Sequence, residues 1–301
     1  MRVISTSPSI TEILGALGIE PVAVSHACNY PPSVNSLPTI DVSKVDAVGS
    51  ADRDRQTSAM ANGGHLYELD AALINELNPD VIFTQGVCEV CAVDDVLVET
   101  TVKELEINPT MVSISARTLE DVFTCIQQVG EVTASESAAA NLLQDVRTRI
   151  SNIREASVPY KPRTVILEWM DPIRPAGNWV PEIVEIAGGD YVPIEIGERS
   201  RPYSWKSIVD IAPELFIISP CGYSIDQTRR QLSEVTERSG WDSLPAVQSG
   251  NTYIFDGSRY LNRWSPRLVD ALESISAIIL SEAEHPAANI EGIHHIPHEA
   301  S

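Results

Sequence analysis

Cys88-Glu89-Val90-Cys91 places two thiols three residues apart, the spacing used by zinc knuckles and by redox dithiols. Three readings of the pair stand open: loop thiols lining a ligand pocket, a metal-proximal role, and a reversible disulfide. A structural zinc would need two further ligands, and Cys221, Cys28, His26 and His65 lie on other expected strand-end loops. The aromatic chemistry is one-sided, because all five tryptophans fall in the second half while four of the five cysteines fall in the first. Trp169, Trp179, Trp205 and Trp264 sit at turns or helix starts, where an indole face can line a cleft while its N–H finds a partner. Trp241, followed by Leu244-Pro245-Ala246-Val247, reads as core. Flat aromatic walls favour a flat, largely apolar ligand.

Glu168 and Asp171 form a carboxylate pair that could serve acid–base catalysis. Hydrogen bonding to backbone or ligand amides is the favoured reading. The chain offers no nucleophile with its base, no glycine-rich phosphate loop and no GxGxxG. The expectation is a non-enzymatic protein, with no cofactor required.

The elements that must position these residues follow an α/β grammar. Val3 to Thr6 reads as a strand, and Ser9-Ile10-Thr11-Glu12 has capping-box spacing for a helix running to Gly18. Pro21 to Ser25 is a second strand, emptying into His26-Ala27-Cys28-Asn29-Tyr30-Pro31-Pro32, where two prolines forbid regular structure. Residues 41 to 65 show no sustained period and read as a long loop with at most a short helix. Leu66 to Leu77 has helical spacing, Pro79-Asp80 breaks it, and Val81 to Thr84 is a strand, with a further helix beginning near Asp94. The second half repeats that unit: a helix over Trp205 to Ala212, then Pro213-Glu214, then the strand Leu215 to Ile218. Cys88 and Cys221 follow the two strands. Between them, residues 118 to 156 carry helical periodicity, with a break near Gly130. A strand starts at Thr164, a helix over Glu182 to Ala187 ends at Gly188-Gly189, and the last helix spans Ser265 to Glu282. This divides the chain into an α/β lobe over 1–130, a bridging helix over 131–160, a second α/β lobe over 161–284 and a disordered tail over 285–301 that holds four of the six histidines.

Composition sets the limits. The 301 residues, 43% hydrophobic and 6% aromatic, suit a globular α/β protein of two lobes. Net charge is −21, from 42 acidic and 21 basic residues. Such a surface repels phosphate backbones and excludes nucleic acid as a partner, and its four lysines among so many carboxylates suit work in high salt, where screening relieves self-repulsion. No apolar run approaches the ~20 residues that span a bilayer. The N-terminus shows neither the apolar region nor the cleavage site of a secretory signal, so the chain is expected to be cytoplasmic as numbered, or extracytoplasmic if a leader was omitted.

Several motifs resemble one family. Ser5-Thr6-Ser7-Pro8-Ser9-Ile10-Thr11-Glu12-Ile13, Tyr30-Pro31-Pro32, Leu77-Asn78-Pro79-Asp80-Val81-Ile82, Trp241 to Val247, and Arg263 with Ser265-Pro266-Arg267-Leu268-Val269 resemble the substrate-binding proteins of ABC importers for vitamin B12, haem and ferric siderophores, especially the cobalamin-binding group. The resemblance implies two Rossmann-like lobes with mainly parallel sheets joined by one long helix. It implies a corrinoid as ligand in a cleft between lobes, an ABC permease as partner and a monomer. Tyr30, Trp205 and Tyr260 match positions that line the family's corrin pocket, whereas a first-lobe tryptophan of the family is replaced around Gly64-His65-Leu66-Tyr67. The first lobe is expected to supply His26, Cys28, Tyr30, His65, Tyr67, Cys88, Glu89 and Cys91. The second is expected to supply Glu168, Trp169, Trp179, Trp205, Cys221, Tyr223, Tyr260 and Arg263. The alternatives are a metal-dependent protein, a metallochaperone or enzyme, using Cys88, Cys91 and Cys221, and a haem or ferric-siderophore binder on the same fold.

Overall fold

Val3-Ile4-Ser5 is buried on both faces, as a central parallel strand requires, and forms β1 (Val3–Ser5). A computed structural model of the chain describes residues 1–45, 49–61, 65–86, 95–156, 160–280 and 290–297, with backbone alone at 59–61. The chain divides into two units. Unit 1 comprises Met1–Val48, Asp52–Ala116 and Glu120–Asp145, and unit 2 comprises Gly49–Ala51, Arg117–Leu119 and Val146–Ser301.

In unit 1, α1 (Pro8–Ala16) turns Ile10, Ile13 and Leu14 inward at helical spacing, each fully buried. The expected capping box at Ser9 and Glu12 is not what starts it. Ser7 is the N-cap residue and Pro8 occupies the first helical turn, where its fixed φ and missing N–H cost nothing, so Ser9 lies inside the helix. β2 (Ala23–Val24) pairs parallel to β1. The stretch read as a long loop contains β3 (Asp41–Ser43) and the twelve-residue α2 (Ser50–Ala61). The short helix allowed for there is thus twelve residues long, and its place and length were not readable because its sequence, SADRDRQTSAMA, has no apolar stripe.

The helix expected from Leu66 divides in two. Tyr67-Glu68-Leu69 finds an antiparallel partner in β3 and becomes β4 (Tyr67–Leu69), leaving α3 (Ala71–Leu77) capped by Asp70, whose carboxylate accepts from Leu73 N at 2.9 Å. β5 (Val81–Gln85), α4 (Asp95–Lys103) and β6 (Thr110–Ile114) complete a four-stranded, all-parallel sheet of order β2-β1-β5-β6. Its core gathers Ile4, Ala23, Ile40, Ile74, Ile82, Val98 and Val102.

Residues 118 to 156 form α5 (Leu119–Val132) and α6 (Glu136–Glu155). The break falls just beyond Gly130, where Ala134 adopts φ 52°. Ala139 Cβ would lie 2.7 Å from a Cβ at Gly130, so the glycine admits the close approach of α6's first turn. The division between units falls within α6.

Unit 2 is built on β7 (Arg163–Trp169), paired to β8 (Arg174–Pro175) in a short hairpin. α7 (Val180–Ala187) follows, with Pro181 in its first turn and Gly188 closing it at φ 100°. Then come β9 (Asp190–Tyr191), α8 (Trp205–Ile211), β10 (Leu215–Ile218), the short helices α9 (Ile225–Arg230), α10 (Ser233–Thr236) and α11 (Pro245–Gln248), β11 (Thr252–Phe255) and α12 (Leu268–Leu280). β12 (Ile293–His295) corrects the expectation of a disordered tail: it pairs antiparallel to β11, with Phe255 opposite Ile293. Strands β9, β7, β10 and β11 run parallel, and β12 and β8 are the antiparallel additions.

Candidate functional site

In parallel sheets, loops at strand carboxyl ends carry the ligand contacts, because helix N-termini and irregular backbone gather there. In unit 1 that end is a hydroxyl network. Thr11 Oγ1 donates to Ser5 Oγ at 2.8 Å, and Ser7 Oγ donates to Gln85 Oε1 at 2.5 Å, tying the exit of β1 to that of β5. Cys28 joins the network and the core together: it is buried, 3.1 Å from Thr11 Oγ1, and packs with Val24, Val34 and Leu37. Its expected place on a ligand surface therefore gives way to a packing role.

His26, two residues earlier, is more exposed. Its Nδ1 lies 2.6 Å from Asp41 Oδ2, and its backbone N–H donates to Asp41 Oδ1 at 2.8 Å. The imidazole also meets the ring of Tyr67, centroids 5.6 Å apart. Tyr67 itself is buried in the core of unit 1 and His65 is exposed. Tyr30 is 40% exposed and precedes a cis peptide bond to Pro31. Cys88, Glu89 and Cys91 lie outside the described residues.

In unit 2 the carboxyl end is aromatic. Trp169 closes β7 half-buried, its ring edge-on to buried Tyr223 at 5.6 Å. Trp169 Nε1 is fully buried and has no hydrogen-bond partner among the described residues. Trp205, at the first turn of α8, stacks on Trp241 at 6.4 Å and 26°, and its N–H donates to Ser239 O at 2.9 Å. Arg238 stands over the Trp205 ring at 5.9 Å and reaches Asp171 Oδ1 at 3.3 Å, linking α8 to the loop after β7. Trp169, Tyr203 and Trp205 all pack on one apolar cluster that includes Met170, Tyr223 and Trp241.

The loops after β7, β10 and β11 are laced by backbone bonds: Cys221 N donates to Glu168 O at 3.1 Å, Gly222 N to Gly257 O at 3.1 Å and Gly257 N to Tyr223 O at 2.9 Å. A Cβ on Gly257 would meet Pro220 O at 1.8 Å, so this approach of two loops requires glycine. Cys221 is half-buried and forms no disulfide. The Glu168 carboxylate accepts a long bond from Gly177 N, 3.4 Å, and burial raises its pKa above the ordinary carboxylate value.

The structure thus brings Glu168, Trp169, Cys221 and Tyr223 together, with Trp205 on the same cluster. Trp179, Tyr260 and Arg263, expected as ligand contacts, are interior residues. Trp179 is 5% exposed and donates its N–H to Leu261 O at 2.8 Å, while Tyr260 is 2% exposed and donates to Glu291 O. Trp241 is core, as its apolar neighbours indicated. Sequence reasoning missed Asp41, Tyr203 and Arg238. Asp41 is fifteen residues from His26, and Arg238 sixty-seven from Asp171, so no local pattern marks either pairing. Among the described residues no three His, Cys, Asp or Glu side chains gather to hold a metal ion.

No curated protein sequence matches the chain. Solved structures do. A periplasmic haem-binding protein from Pseudomonas aeruginosa superposes with a TM-score of 0.70 at 18% identity, covering 94% of each chain. The haem complex of IsdE from S. aureus gives 0.69 at 15% identity, over 93% of this chain and 99% of that one. The vitamin B12 binding protein BtuF of Vibrio cholerae gives 0.61 at 20% identity, over 92% and 96%. At these identities the likeness is one of fold. The profile of the periplasmic binding protein family matches residues 3–258, and the chain belongs to that family.

Proposed function

We propose that this protein binds a flat, metal-bearing tetrapyrrole, first a corrinoid, and presents it to an ABC permease without chemical change. The observation that carries this is the Trp169 indole. Its N–H is buried without an acceptor, in an aromatic wall with Tyr203 and Trp205, at the carboxyl end of a parallel sheet. A buried donor left unmade costs about 1–3 kcal/mol, and a ligand acceptor would recover that cost. A corrin ring fringed with amides supplies both the flat face and the acceptors. The net charge of −21 favours such a neutral fringe over the two carboxylates of haem. The haem-binding and vitamin B12-binding proteins of like fold support the ligand class.

The test is titration with cobalamin, haemin and a ferric chelate in molar salt, following tryptophan fluorescence. Cobalamin should quench, and Trp169→Phe should weaken its binding by roughly three- to tenfold, the worth of one hydrogen bond. Absence of quenching by cobalamin in folded protein removes the corrinoid, and quenching by haemin alone reassigns the wall to haem.

A further inference from the structure

Trp205 opens a helix of only seven residues, so its indole has no preceding turn of helix to rest against. Its orientation is set instead by one short segment, 238–241. Ser239 O accepts the indole N–H at 2.9 Å, the Arg238 guanidinium lies over the ring at 5.9 Å, and Trp241 stacks on it at 26°. Gly240 permits this threefold hold: at φ 90° it occupies the left-handed region, which lets the residues on either side of it reach the same indole.

Arg238 reaches further than the other two. Its Nε donates to Glu234 O at 2.7 Å, and its Nη2 donates to Met170 O at 3.4 Å and to Asp171 Oδ1 at 3.3 Å. Met170 and Asp171 directly follow Trp169. One planar fork, held through both Nε and Nη2, therefore ties the Trp205 ring to the loop that carries Trp169. Folding stability does not account for the arrangement. The side chains of Arg238 and Asp171 are 29% and 47% exposed, and ion pairs so open to water add little to it. What the geometry fixes is the direction of the indole.

We propose that Arg238 is a positioning residue for ligand recognition, a role that rests on the ligand reading above. It holds the Trp205 indole at a set angle and spacing from Trp169, so the aromatic wall is in place before a ligand arrives. A wall prepared in this way has little side-chain freedom left to lose on binding. Lysine supplies the charge but not the fork, because a point ammonium cannot lie flat on the ring and also meet the fixed oxygens of Glu234, Met170 and Asp171.

The test replaces Arg238 by methionine, which keeps an apolar stem, and by lysine. In the free protein the stacked Trp205–Trp241 pair gives an exciton couplet in the far-ultraviolet circular dichroism, identified by its loss in Trp205→Phe. Arg238→Met should remove most of that couplet and weaken cobalamin roughly three- to tenfold, the cost of ordering one side chain at binding. It should move the urea midpoint far less than Trp241→Ala does. Arg238→Lys should fall short of the parent in both couplet and affinity. An intact couplet in Arg238→Met, a lost couplet with unchanged affinity, or full rescue by lysine overturns the inference and leaves the ligand reading standing. A fall in the midpoint as large as that of Trp241→Ala shows a packing role and overturns it too. If haemin or the ferric chelate alone quenches the parent, its affinity is read by the same criteria. If none of the three quenches, the ligand reading falls and the inference falls with it.

Discussion

Units 1 and 2 begin in the same way and end differently. In each, a β-α-β passage opens the sheet, β1-α1-β2 in unit 1 and β7-α7-β9 in unit 2, with proline in the helix's first turn. Each continues through a short helix, a left-handed residue, a proline and an acid into the next strand: Asn78-Pro79-Asp80 before β5, Ala212-Pro213-Glu214 before β10. An arginine locks both junctions. Arg2 donates its backbone N–H to Asp80 Oδ2 at 2.6 Å and its Nε to Leu77 O at 2.7 Å. Arg163 does the same toward Glu214 Oε2 at 3.0 Å and Ile211 O at 3.1 Å. At the amino ends of the strands, then, the two units use one device. At the carboxyl ends one presents hydroxyls and a braced histidine, the other tryptophan and tyrosine. A shared frame with divergent ends is the expected result when stability is kept at one edge of a sheet and recognition varied at the other.

Trp241→Ala tests that contrast most severely. Trp241 is 5% exposed against Phe216 and Trp205, and its loss should destabilise by about 3–5 kcal/mol, read from the urea midpoint. Trp205→Ala, half-buried on the same stack, should cost about 1–3 kcal/mol, so the wall is carried from beneath. Equal costs would mean that Trp205 is as structural as Trp241, and the contrast between frame and wall would fail.

Glu168→Gln comes next. Burial raises the folded pKa of Glu168, so its contribution to stability is fully present below the unfolded carboxylate pKa and is lost as pH rises through the folded one. The glutamine variant should therefore melt higher than the parent at neutral pH, by a margin that closes on acidification. A margin independent of pH would show that Glu168 ionises freely.

The smallest effects belong to the shared junctions. Burial alone would raise the pKa of Glu214, but Tyr160 OH, the Arg163 N–H and the Arg163 charge together hold it below the ordinary value. Its contribution is present above the unfolded pKa and disappears as pH falls through the folded one. Glu214→Gln should cost less than about 1 kcal/mol at neutral pH and flatten the acid limb of the stability curve. Asp80→Asn should be as mild, and a large loss at either site would show that the two locks are unequal.

The frame was legible in the sequence because it rests on local signals: apolar strands, prolines at helix starts, and helix-Pro-acid-strand passages that occur twice. What was missed had partners far along the chain. Tyr67-Glu68-Leu69 continues a helical pattern when read alone and becomes strand only because Asp41–Ser43 pairs with it. The wall was half legible: turn positions flagged Trp169 and Trp205, and the same criterion put forward Trp179, whose N–H is taken up by Leu261. Position in a turn shows that an indole begins near the surface. Which way it points depends on packing that no local pattern records.

β12 has a consequence for the handling of the protein. Without it, Thr252–Phe255 would be the outermost strand of its sheet, an uncovered ladder of amides and carbonyls in an apolar stretch. Residues 293–295 cap that ladder, so truncation before residue 290 would invite chains to join edge to edge. The cut would reveal itself as turbidity and growing particle size at concentrations where the intact chain stays clear.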